Sequence, residues 1–137
     1  ADAVSRRAGR DDRRARAVAR AVSAEMHSGF AALRAELPMD FHARVGNVAP
    51  SQSARIDVSR IVRIWGDARR AFGASGPFLF GSFTIADAMY APVATRFRTY
   101  GIDPTSYGDD GTAAAYVHTL LAMPQMHEWA AGAERRM

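Results

Sequence analysis

The side chains able to do chemistry in this 137-residue chain are few, and their spacing supports little of it. Four histidines (His27, His42, His118 and His127) are scattered without metal-ligand spacing, and neither an HExxH pattern nor a paired acidic cluster accompanies them. There is no cysteine, hence no thiolate nucleophile, no cysteine metal site and no disulfide. A glycine-rich phosphate loop and a serine in a nucleophile elbow are also missing. No catalytic residue is assigned in this chain, and no metal. By position alone, His27 stands one residue after Met26 and three before Phe30. That reads as a half-buried helix histidine bonded to a backbone group, with Glu25 pairing an arginine on an exposed face. Thr84 and Asp87 stand three apart, the spacing of a capping box, where each side chain satisfies a free backbone N–H at a helix start. Asp87 also sits where the positive end of a helix dipole favours a carboxylate.

Positioning such residues falls to helices. Val18, Val22, Met26, Phe30, Leu33 and Leu37 recur by fours and threes, so one long helix is expected from Asp11 or Asp12 to Leu37, stopped by Pro38, with Gly29 in its interior. Residues 39 to 50 read as a loop holding Gly46, Asn47 and Pro50. Ser51 or Ser53 opens a second helix on the stripe Val58, Ile61, Trp65, Ala68 and Phe72, closed by Gly73 to Pro77. The loop that follows carries Phe78, Leu79, Phe80 and Phe83 and is apolar enough to pack into the core. A third helix runs from Ile85 to about Thr99, with a kink expected at Pro92. A fourth begins at Gly111 or Thr112 and runs to Leu121, and Pro124 starts a last one through Trp129. Trp65 and Trp129 read as core anchors. The fold expected is all-α, a helical bundle of about five helices in one domain.

All eighteen basic residues are arginine. Seven fall in the first twenty residues against Asp2, Asp11 and Asp12, which gives that segment +4, while the other eleven are matched by eleven acids. An arm contacting phosphates is one reading of this start. No aromatic interleaves the arginines and Asp11-Asp12 interrupts them, so a solvated lead-in over residues 1–14 is preferred and nucleic acid is not expected as a partner. No apolar run reaches membrane-spanning length and no signal segment opens the chain, so a soluble, cytoplasmic protein without membrane association is expected.

With the helices placed, Phe78-Leu-Phe-Gly-Ser-Phe-Thr-Ile-Ala-Asp-Ala-Met-Tyr-Ala-Pro-Val-Ala-Thr-Arg-Phe97 resembles the buried capping segment of the C-terminal helical domain of glutathione S-transferases. Ser23-Ala-Glu-Met-His-Ser-Gly-Phe-Ala-Ala-Leu-Arg34 resembles the first helix of that domain in bacterial zeta-like or beta-like members. The resemblance implies that residues 15–137 are the helical domain and that the thioredoxin-like, glutathione-binding domain is absent from this chain. The start at Ala1-Asp2-Ala3, without an initiator methionine, favours a fragment or processed product. It further implies a homodimer built through the first two helices. A substrate pocket for a small hydrophobic electrophile would be formed by Met26, His27, Ser28, Phe30 and Arg96, and Glu25 would reach the glutathione of the partner subunit. Ser28 stands where beta-like enzymes carry lysine, and Arg96 stands where an aromatic is usual, which favours an anionic or polar ligand. No cofactor is implied; glutathione is a co-substrate of the complete enzyme, which conjugates it to electrophiles or isomerises them. The alternative is a non-catalytic glutathione S-transferase-like module that joins proteins.

Overall fold

The first apolar stripe does form a helical arm, but in two pieces. The structure, a computed structural model, describes residues 2–40, 43–46 and 48–136, with side chains from Asp12 onward except Ala130 and residues 133–136. Helix α1 spans Asp2–Ser28 and α2 spans Ala31–Glu36. Asp11 and Asp12 therefore lie inside α1 instead of capping it, and the expected single helix to Leu37 is interrupted at Gly29-Phe30. The Gly29 N–H still bonds the Glu25 carbonyl at 2.7 Å, and a Cβ on Gly29 would fall 2.7 Å from that same oxygen. Phe30 then turns the chain with φ 60° and ψ 40°, a left-handed conformation that sterics disfavour for a side chain with a Cβ. Its buried side chain stabilises the turn by joining the apolar cluster of Met26, Leu33 and Leu37. Helix α2 has no capping side chain of its own; the Leu33 N–H is met instead by Asp57 Oδ2 at 3.1 Å, from the next helix.

Pro38, Asp40 and Val45 are held on the C-terminal end of α4 (Ile85–Tyr100). The Tyr100 hydroxyl donates to the Pro38 carbonyl and the Thr99 hydroxyl to that of Asp40, each at 2.7 Å, while the Val45 N–H reaches the Thr99 carbonyl at 2.6 Å. His42 and Asn47 lie outside the described residues. Ser51, whose N–H donates to Glu36 Oε1 at 3.0 Å, caps α3 (Gln52–Phe72) by accepting from the Ala54 N–H at 3.2 Å. Val58, Ile61, Trp65 and Ala68 face the centre, where α3 packs against α2, α5 (Thr112–Leu121) and a single 3-10 turn at Pro104–Tyr107. The Trp65 ring lies 5.1 Å from Tyr116, 5.4 Å from Phe97 and 5.9 Å from Tyr90, two of the three edge-on. Such pairs add stabilisation beyond their buried area. Helix α4 runs unbroken through Pro92 and packs along α1, and the buried Tyr90 hydroxyl donates to the Val22 carbonyl at 2.8 Å.

Between α3 and α4 the chain makes two isolated bridges, Phe78 with Gly81 and Phe80 with Ser82, the only β pairing among the described residues. Gly81 has φ 91°, which a side chain would strain. Arg69 Nη1 lies within 2.6–2.8 Å of the carbonyl oxygens of Gly73, Gly76 and Phe78, so one guanidinium satisfies the loop that the glycines bend. Leu79 is fully buried, as the apolar loop requires, but Phe83 is 45% exposed and covers Phe78 edge-on from outside. The last helix, α6 (Pro124–Arg136), is anchored by Met126; Trp129, expected in the core, is 41% exposed. Among the described residues the architecture is an all-α bundle of six helices. No helix among the described residues is long and apolar enough to cross a membrane.

Candidate functional site

Asp87 is the most completely engaged polar residue of the interior. It is fully buried, at the third position of α4, and Thr84 is the N-cap of a capping box. Its Oδ2 accepts the Thr84 N–H at 2.8 Å, and the Thr84 hydroxyl stands 3.3 Å away. Its Oδ1 accepts the Leu79 N–H at 3.2 Å and the Tyr116 hydroxyl at 2.6 Å. One carboxylate thus ties the apolar loop, the start of α4 and α5 together. Burial, reinforced by the Asp87 charge, drives the Tyr116 hydroxyl pKa well above its ordinary value, so Tyr116 remains a donor. Tyr116 was not singled out by sequence, because nothing local connects it to a residue 29 positions earlier.

The six residues assigned to ligand contact divide into three environments. Met26 and Phe30 are buried core members, while His27 and Ser28 are exposed on the last turn of α1. His27 is therefore not the half-buried histidine that its neighbours suggested. The Ser28 hydroxyl is turned back to the Ala24 carbonyl at 2.9 Å. Arg34 Nη2 donates to the carbonyls of Met26 and His27, putting a cation on the negative end of the α1 dipole. Arg96, on α4, donates from Nε to the Leu37 carbonyl at 2.9 Å. Burial lowers its pKa, and the Arg34 charge lowers it further. Glu25 makes a two-pronged ion pair with Arg60, Oε2 to Nε at 2.8 Å and Oε1 to Nη2 at 2.9 Å. That hydrogen-bonded arginine holds the Glu25 carboxyl below the usual glutamate range.

None of these six residues borders the groove that opens along the other side of α3. This groove, of about 740 Å³, runs between α3 and the 3-10 turn, with Arg55, Ser59 and Arg63 on one wall and Tyr107 and Asp109 on the other. Midway along α3 Arg60 is occupied by Glu25, and at the end of the groove Arg70 meets Asp67 at 3.0 Å and Asp110 at 3.4 Å. Asp109 caps α5, accepting the N–H groups of Ala113 at 2.8 Å and Ala114 at 2.9 Å. Among the described residues no set of histidines and acids is grouped to hold a metal ion.

Compared with known proteins, residues 11–133 match the family model for the glutathione S-transferase C-terminal domain. No curated protein and no solved structure matches the chain. The match takes in α1 from residue 11 onward, α2, the capping segment and the Asp87 hub in one continuous span. The chain belongs to the glutathione S-transferase C-terminal domain family.

Proposed function

We propose that this chain is the electrophile-binding and dimerisation half of a bacterial zeta-like or beta-like glutathione S-transferase. The thiol-activating residue would be carried by a thioredoxin-like domain outside these residues. The extent of the family match, residues 11–133, carries the proposal. In it, Met26 and Phe30 form the apolar floor of the pocket, His27 and Ser28 its polar rim, and Arg96 a guanidinium with Nη1 and Nη2 left for an acceptor. Glu25 would contact the partner subunit's glutathione while held by Arg60. The reaction would be attack of the glutathione thiolate on a small hydrophobic electrophile, or a glutathione-assisted isomerisation, in a cytoplasmic homodimer.

Titration of the 137-residue chain with a hydrophobic dye and with glutathione, read by tryptophan fluorescence, tests this reading. His27→Ala is expected to weaken dye binding several-fold, and the isolated chain is expected to conjugate no glutathione. Dye binding indifferent to His27→Ala, or tight glutathione binding by this chain alone, overturns it. A second reading, a non-catalytic protein-interaction module, draws on Phe83 and Ile85, 45% and 67% exposed on either side of the α4 N-cap Thr84. Dye binding lost in Ile85→Arg and kept in His27→Ala would favour that reading.

A further inference from the structure

The groove along α3 has a charge balance that its own ion pairs do not close. Asp67 and Asp110 are engaged by Arg70, Asp109 is spent on the N-terminus of α5, and Arg60 belongs to Glu25. Arg55 and Arg63 remain; among the described residues neither side chain has an acidic partner or a hydrogen bond, and both residues are exposed. Residues 55, 59 and 63 follow at intervals of four, so they share one side of α3, and the two arginines stand about 12 Å apart along its axis. Ser59 lies between them, and Ile56, 61% exposed, adds an apolar surface beside it. Gly66 makes room for Arg70, whose Nη2 would stand 2.8 Å from a Cβ placed there. A helix-interior glycine costs about 1 kcal/mol against alanine, and here it accommodates the Arg70 guanidinium.

We infer that this groove binds a small organic dianion, its two anionic groups taken by Arg55 and Arg63 and its partly apolar middle lying across Ser59 and Ile56. Arginine suits both ends, because its planar fork presents paired donors to a carboxylate or phosphate. The site is separate from the α1–α2 junction proposed for the electrophile, so neither reading depends on the other.

The test is an amide chemical-shift titration of the full chain at low salt with straight-chain α,ω-dicarboxylates of increasing length, beside monocarboxylates of matched length. Dicarboxylates whose ends approach the arginine spacing are expected to shift Ser59 and Tyr107 saturably and to bind about tenfold or more tightly than the matched monocarboxylate. Arg55→Ala and Arg63→Ala should each remove about tenfold in affinity, Arg55→Lys and Arg63→Lys less, and Arg13→Ala nothing. Among the described residues both groove arginines are exposed and neither forms an ion pair, so the variants should keep the wild-type circular dichroism and melting temperature. Equal affinity for mono- and dicarboxylates, indifference to both alanine variants, or no saturable binding below about 10 mM would overturn the inference.

Discussion

Asp87 and Glu25 are both carboxylates held by charge-assisted or backbone hydrogen bonds, yet they stand at opposite extremes of environment. Asp87 has no exposed surface and gathers bonds from three separate segments. The Glu25 side chain is 33% exposed and has one partner, Arg60, itself 46% exposed. Water can replace Arg60 at Glu25, whereas nothing can replace Asp87 for the Leu79 N–H and the Tyr116 hydroxyl. The fold therefore rests on the first carboxylate, and the second is available for a contact made by an additional molecule. A lost buried acceptor costs the full desolvation of each orphaned donor; a lost surface pair costs little.

The largest expected effect breaks that comparison at its buried end. Asp87→Ala leaves the buried donors of Leu79 and Tyr116 and the half-buried Thr84 N–H without an acceptor, and at about 1–3 kcal/mol for each donor the loss should be at least about 3 kcal/mol. This exceeds the 0.5–2 kcal/mol of a helix cap alone. Urea unfolding followed by circular dichroism measures it, and a loss below about 2 kcal/mol would show that only the cap is at stake. Tyr116→Phe is the sharper probe, because it removes one donor and leaves the capping box intact. About 1.5–3 kcal/mol should be lost, the range for a hydrogen bond to a charged group. Since the folded Tyr116 pKa is raised, its contribution is complete below the ordinary tyrosine value of 10.0 and falls as pH rises beyond it. The gap between wild type and Tyr116→Phe should therefore narrow in alkali.

The same pair of carboxylates shows what a sequence discloses. The Thr84–Asp87 box is local, three residues wide, and its spacing locates it; the α3 cap at Ser51 and the ends of α3, α4 and α5 are local in the same way. Partners distant along the chain leave no such trace: Tyr116 on Asp87, Asp57 on the Leu33 N–H, and Arg60 on Glu25, 35 residues away. The break at Gly29-Phe30 was hidden for a different reason. The apolar residues on both sides keep helical spacing, and a turn through a left-handed Phe30 returns Leu33 and Leu37 to the same core. Periodicity reports which side chains are buried, and two helices can bury what one would. Residue type alone places Trp129 and Phe83 inside, yet they are 41% and 45% exposed, because an aromatic side chain reports a preference for burial and not the neighbours that would cover it.

The smallest expected effect is at the exposed end, and its smallness is what the comparison requires. Glu25→Gln should cost about 0.2–1 kcal/mol, the range for an exposed ion pair, and the cost should shrink further in high salt. Because the arginine lowers the folded Glu25 pKa from 4.5, its contribution is complete above that pH and disappears as pH falls through the lowered value. Wild type and Glu25→Gln should thus draw together in stability as pH falls below 4.5, while Asp87→Ala remains far less stable at neutral pH. If Glu25→Gln instead costs several kcal/mol and the cost is insensitive to salt, the Arg60 pair is a structural element of the α1–α3 contact. Glu25 would then be unavailable to a glutathione in a neighbouring subunit, since releasing Arg60 to meet it would unfold part of the domain. A small, salt-sensitive loss leaves the side chain able to exchange one partner for another, which is the property that its proposed role demands.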